Sequence, residues 1–305
     1  MTYLKTLFFC TVSAFSVCAQ MTNDSTFSAS VSNPKFKKGK GPALLIDAAH
    51  HNFIVEMGLA KPLVDVAAAD GYRPKIDSAL FTKAYLDHYK VVIITPAMPF
   101  KFGSKKEVTT ESTFTPTEID ALHEWVSAGG SLVLLSEHAP IDKSMTPVLN
   151  KFGIQSSIGI VWDSVNCDKS IQMRGFQTLL KFNKENGLLN MNHPITKGEQ
   201  AGEQINAIVT YGGSGLTGPG YTSLFNLSPS VEIKRWSGIN PSGSATSQGL
   251  AGKVGKGKLV ALGDCNGFTA MYIPMGAGKN FYAGMQVPDH NWKQFVLNTL
   301  HWLSK

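Results

Sequence analysis

Three short stretches carry side chains able to hold a metal ion or move a proton. They are Asp47-Ala-Ala-His50-His51-Asn52, Glu137-His138 and Asp264-Cys265-Asn266. Carboxylates beside imidazoles are a ligand set for a divalent metal and equally a set for general acid/base work. A single histidine in such a place more often caps a helix or bonds a loop carbonyl, so the weight lies on the recurrence. On that pattern Asp47, His50, His51, Glu137 and His138 are the candidate catalytic residues. Asn52, Asp264 and Asn266 are candidates for contacting a substrate, and His50, His51 and His138 for ligating a divalent metal, the one cofactor this set suits.

Each stretch ends an apolar run. Residues 44–46 follow Gly41-Pro42 and read as a buried strand, with a helix expected over 54–70. Strands are expected over 72–76, 91–96 and 131–138, and helices over 82–89 and about 143–152. Thr115-Pro116-Thr117-Glu118 has the capping threonine, first-turn proline and box-closing glutamate of a helix start, and Gly129-Gly130 stops that helix. Strand alternating with helix from about 42 to 155 argues for a doubly wound α/β fold with a mostly parallel sheet. Strand ends in such a sheet lie along one edge, where ligands bind. Residues 183–198 read as loop. Residues 205–211, 223–227 and 231–236 read as strands without long helices between them, which predicts an antiparallel extension in the second half. Residues 257–264 return to a buried strand and 291–303 form a last amphipathic helix.

Other motifs weaken on inspection. Gly263-Asp264-Cys265-Asn266-Gly267 fits a nucleophile elbow, a short pattern that chance meets easily. Gly213-Ser-Gly215-Leu-Thr-Gly218 matches the dinucleotide fingerprint, but Pro219-Gly220 follows where a helix N-terminus is needed. Residues 252–258 precede their strand and read as a basic turn. His123-Glu124 lacks the second histidine of a zinc-protease helix.

The 305 residues are 43% hydrophobic and 16% charged, enough for one large core. A net charge of +6 without an aromatic-interleaved basic stripe argues against a nucleic-acid partner. Lys5, the apolar run 7–17 and Val17-Cys18-Ala19 form a secretory signal over residues 1–19, with lipidation at Cys18 the lesser alternative. Residues 20–41 are expected as a disordered linker, 42–305 as one domain, and no later run is long enough to span a membrane. The destination is then the periplasm or the medium, where Cys167 and Cys265 could pair.

Ile46-Asp47-Ala-Ala-His50-His51-Asn52-Phe53, Ala69-Asp70-Gly71-Tyr72, the run from Gly129 to Pro140 and Phe152-Gly153-Ile154 resemble an uncharacterised family of exported bacterial proteins. His193-Pro194-Ile195-Thr196, Gly255 to Asp264 and Asn291 to Leu303 fit the later part of the same pattern. That family is a domain of unknown function with a class I glutamine amidotransferase-like fold. The resemblance implies a flavodoxin-like sheet, related to amidotransferase domains and to accessory proteins of gliding-motility transporters. It does not carry amidotransferase chemistry over, because strand 91–96 ends in Thr95-Pro96-Ala97 without the mid-domain cysteine. Function stays open between a metal-assisted or acid/base hydrolase, a non-catalytic module holding a small polar or carbohydrate-like ligand, and an envelope scaffold.

Overall fold

A computed structural model describes residues 21–98, 112–171, 175–276 and 278–305. Its main sheet contains β1 (Ala43–Asp47), β2 (Arg73–Asp77), β3 (Val91–Ile94), β4 (Ser131–Leu135), β5 (Ser247–Val254) and β6 (Gly257–Leu262). The order β2-β1-β3-β4-β6 is parallel throughout, and β5 then pairs antiparallel with β6. Leu216–Thr217 and Thr222–Asn226 add to β5, also antiparallel. The fold is thus the expected α/β arrangement, a mostly parallel sheet with an antiparallel extension.

Strand periodicity divides the core in two. Leu44, Ile46, Val91, Ile93, Val133 and Leu135 face one side, where α2 (Lys61–Ala69) and α5 (Trp292–Ser304) pack. Leu45, Val92, Ile94, Leu132 and Leu134 face the other, against α3 (Pro116–Ala128) and α4 (Ile141–Lys151). Each such side chain leaving water contributes roughly 1.5–3 kcal/mol, so the two faces fix the register in which the strand ends align. Thr115 caps α3 as expected, with Glu118 closing the box.

Several expectations need correcting. The helix over 54–70 is two: α1 (Phe53–Glu56) and then α2, separated by Gly58 at φ +72°. Pro62 in the first turn of α2 has no N–H to continue a helix from α1. Residues 252–258 are the end of β5, a tight turn at Gly255-Lys256 and the start of β6. Glu232–Lys234 leaves the main sheet to pair with Ile160–Trp162, and Ala207–Val209 pairs with Lys181–Asn183. Within 183–198, His193 caps one helical turn, Pro194–Lys197.

A further hairpin, β7 (Ala270–Gly276) with β8 (Lys279–Gly284), stands beside the sheet and takes Thr22–Asn23 as a third strand. Described residues of the stretch expected as a disordered linker therefore carry contacts. Met21, Phe27, Ala29 and Val31 pack on the core, and Asn23 Nδ2 donates to the Gly58 carbonyl at 2.7 Å. Cys167 and Cys265 are both buried free thiols, so they form no disulfide. Among the described residues no helix is long and apolar enough to cross a membrane.

Candidate functional site

The candidate residues other than His51 fall into two separate places. At the end of β1, His50 is 1% exposed and lies between two carboxylates. Its Nδ1 is 2.8 Å from Asp47 Oδ2 and its Nε2 3.0 Å from Glu118 Oε1. Asn52 Nδ2 donates to Asp47 Oδ2 at 3.0 Å and to the Thr95 carbonyl at 3.1 Å, while its Oδ1 accepts the His50 N–H. Glu118 also accepts from the Phe81 N–H and from the Thr115 N–H and hydroxyl. Phe114 stacks on the imidazole with centroids 4.0 Å apart. Burial works against the imidazolium, but the bonds to Asp47 and Glu118 outweigh it and raise the His50 pKa. Asp47, His50 and Asn52 are thus tied into a buried network that knots α3 to the first strand end, and none of the three lines the cavity described below.

His51 is elsewhere again. It sits at φ +49°, 45% exposed by its side chain, with Nδ1 2.8 Å from Glu56 Oε1. The three histidines expected as metal ligands do not converge. Among the described residues no group of three or more His, Cys, Asp or Glu is arranged to hold a metal ion. Repetition of a residue pattern at strand ends did not distinguish a closed network from a cavity wall, because the difference lies in what packs over each end.

The second place borders a cavity. Glu137 and His138 follow β4, and Asp264, Cys265 and Asn266 follow β6, its hydrogen-bonded neighbour. Asn266 bridges the two acids: its Nδ2 donates to Glu137 Oε2 at 3.0 Å and to Asp264 Oδ1 at 3.1 Å. Cys265 Sγ donates to Glu137 Oε2 at 3.2 Å, and the His138 N–H to Glu137 Oε1 at 3.0 Å. Asp264 further accepts from the Asn266 N–H at 2.6 Å and from the Tyr211 N–H.

Two carboxyls this close and this dry do not both ionise near neutral pH. Burial pushes Glu137 up to about 7, against the His138, Cys265 and Asn266 donors. Burial and then the Glu137 charge push Asp264 up to about 8. The same surroundings hold the Cys265 thiol far above its ordinary value, and the residue is fully buried. Cys265 is a donor to Glu137 and no nucleophile.

A cavity of about 360 Å³ opens over this cluster. Glu137, His138 and Asn266 lie at its polar end, while Phe53, Met98, Met271, Ile273 and Phe281 supply apolar walls and Met21 enters from the N-terminal segment. Asp264 is 1% exposed and stands behind Glu137 and Asn266, outside the lining. His138 Nδ1 faces the Ala139 carbonyl at 2.9 Å, so that nitrogen carries the proton; burial lowers the pKa and keeps the ring neutral.

One polar lining residue, Tyr211, carries no signal in the sequence. Tyr211 reaches the site through its N–H on Asp264, and its hydroxyl is 2.7 Å from His290 Nδ1. His290 Nε2 is 3.4 Å from Asp168 Oδ2, whose Oδ1 accepts from Ser170. None of these three ends a strand of the main sheet, and Asp168 and Tyr211 stand 43 positions apart in the chain, so only tertiary packing joins them.

The fold matches solved structures without close sequence likeness. The mmIFT52 N-terminal domain aligns with a TM-score of 0.57 at 15% identity, over 86% of this chain and 97% of that one. A protein described as ThuA-like, from Bacteroides uniformis ATCC 8492, aligns with a TM-score of 0.44 at 14% identity, over 90% of this chain and 93% of that one. Another ThuA-like protein, from Parabacteroides merdae ATCC 43184, gives 0.45 at 10% identity, over 87% and 91%. The first likeness is one of fold. No family model matches the chain, nor does any curated protein.

Proposed function

We propose that the protein is an exported acid/base catalyst of hydrolase type that works from the 360 Å³ cavity with Glu137 as its proton-carrying group. The observation behind this is a carboxyl at the wall of a ligand-sized cavity whose pKa is pushed up to about 7, near the optimum for giving and taking a proton at neutral pH. Asp264 stands beside it: burial and then the Glu137 charge raise the proton affinity of Asp264, and Asn266 holds the two in register. The pair is unlike the two carboxylates of a glycosidase, which flank a bond from opposite sides, because here both share one amide nitrogen. His138 and Tyr211 then orient the ligand.

A non-catalytic binding module is the second reading. It is favoured by the apolar walls and by a thiol that is pinned rather than activated. Chromogenic esters, amides and glycosides tested from pH 5.5 to 9 separate the two. Under the catalytic reading one class is turned over, and Glu137→Gln lowers its rate by about 100-fold or more with a cooperative melting transition kept. Turnover of none, with a ligand that raises the melting temperature of the wild type, supports the binding module instead.

Export rests on Lys5, residues 7–17 and Val17-Cys18-Ala19. Cleavage before Gln20 would leave Met21 in place at the cavity wall. Mass determination of the mature N-terminus from the extracytoplasmic fraction tests it; an intact Met1 in that fraction would refute the cleavage.

A further inference from the structure

The cavity is rich in acceptors and short of donors. Four polar side chains line it among the described residues: Glu137, His138, Tyr211 and Asn266. Both protons of Asn266 Nδ2 are spent on Glu137 and Asp264. The Nδ1 proton of His138 goes to the Ala139 carbonyl. His290 presents Nε2–H to Asp168, which leaves its Nδ1 to accept the Tyr211 hydroxyl proton. The Tyr211 oxygen also accepts from the Gly284 N–H, so the capacity that remains is His138 Nε2, Asn266 Oδ1 and the carboxyl of Glu137. No lysine or arginine is among the described lining residues.

Above pH 7, where Glu137 has lost its proton, an anion would meet a carboxylate with no donor to answer it. A sugar would bring hydroxyls that need donors as well as acceptors, between walls that are largely apolar. A ligand that only donates, carries positive charge and has an apolar body fits all three features. Phe53 and Phe281 are the aromatic residues among these walls, and aromatic rings attract cations.

We propose that this cavity takes a primary organic amine as its ammonium, the head against Glu137, Asn266 and His138 and an aromatic or branched body against Phe53, Ile273 and Phe281. This rests on the reading of the cavity as the functional site and names its ligand class. On binding, N–H···O bonds form to Glu137, the Glu137 carboxyl gives its proton to solvent, and the ammonium charge takes over the balancing of Asp264. The groups facing Glu137 are His138 on its own segment, Asp264, Cys265 and Asn266 from the segment after β6, and Tyr211. Affinity then rises with pH through about 7, where Glu137 titrates, until the amine itself loses its proton near about 10.

Calorimetric titration of the mature chain with 2-phenylethylamine, 2-phenylethanol and 3-phenylpropanoate tests this, since the three share one body. At pH 8 the amine is expected to bind on the order of tenfold tighter than the alcohol, and the carboxylate weakest. At pH 6, below the Glu137 midpoint, the heat should vary with the ionisation enthalpy of the buffer, showing proton release, and Glu137→Gln should abolish both the release and the preference. Ile273→Trp, which fills the cavity from a partly exposed wall, should remove binding while the melting transition persists. Alcohol binding equal to the amine and lost in Ile273→Trp would overturn the amine and keep the site. Binding unaffected by Ile273→Trp, or no binding of any probe, would overturn both.

Discussion

At His50 an imidazole is clamped between Asp47 and Glu118, all three nearly or fully buried. Removing the ring leaves two carboxylates facing one another without water, a situation that costs about 3–5 kcal/mol for a buried pair. His50→Ala is therefore expected to lower the unfolding free energy by roughly that amount in urea titrations, with ligand binding by the folded fraction unchanged. A loss below about 1 kcal/mol would show that the lock is not structural. Glu137 differs only in its surroundings. It too follows an apolar strand and bonds its neighbours, but a cavity opens on it. That difference was not legible in Asp47-Ala-Ala-His50 or in Glu137-His138, since both are an acid with a nearby histidine and the covering residues come from distant segments. Glu118, the second partner of His50, showed in the sequence as a helix cap, and its other carboxylate oxygen does that work.

At the level of elements, α3 begins with a capping box whose glutamate has two duties. Glu118 Oε2 accepts from the Thr115 N–H and hydroxyl, and Oε1 accepts from the Phe81 N–H and meets His50. Loss of an N-cap hydroxyl usually costs about 1 kcal/mol. Thr115→Ala is expected to cost more than that, and less in a His50→Gln background, because both changes act on one carboxylate. A double-mutant cycle by chemical unfolding measures the coupling; strict additivity would contradict the shared role. The parallel strands were readable because runs such as Val91–Ile94 are apolar at every position, as strands buried on both faces must be. Ser247–Val254 was not, since Gly249, Gly252 and Lys253 look like loop until β6 and Thr222–Asn226 pair with it on either side. The split between α1 and α2 was present in Gly58 and Pro62, whose local signals outweigh the apolar periodicity across them.

For the whole molecule, the raised acids make stability depend on pH. Glu137, Asp264 and Asp142 bind protons more tightly folded than unfolded, at about 7, about 8 and about 6 against ordinary values of 4.5, 3.8 and 3.8. Their contribution is complete below the unfolded values and is lost as pH rises through the folded ones, each tenfold in proton affinity being worth about 1.4 kcal/mol. The melting temperature of the wild type relative to Glu137→Gln is expected to fall between pH 5 and 8.5. A rise across that interval would contradict the assignment of protonated acids to the core. The packing of Met21, Phe27, Ala29 and Val31 belongs to this scale as well. Their serine- and threonine-rich context reads as linker, and only the assembled hairpin and α5 offer them a surface.

The central claim is that Glu137 holds a proton at the cavity near neutral pH. Infrared difference spectra of the protonated carboxyl stretch, wild type minus Glu137→Gln, recorded from pH 4 to 9, test it most directly. A band lost in the variant and titrating with a midpoint near 7 is the expected result. A band that disappears near the ordinary carboxylate value of about 4.3 would mean that Glu137 is ionised throughout the working range, and the acid/base reading would fall with it.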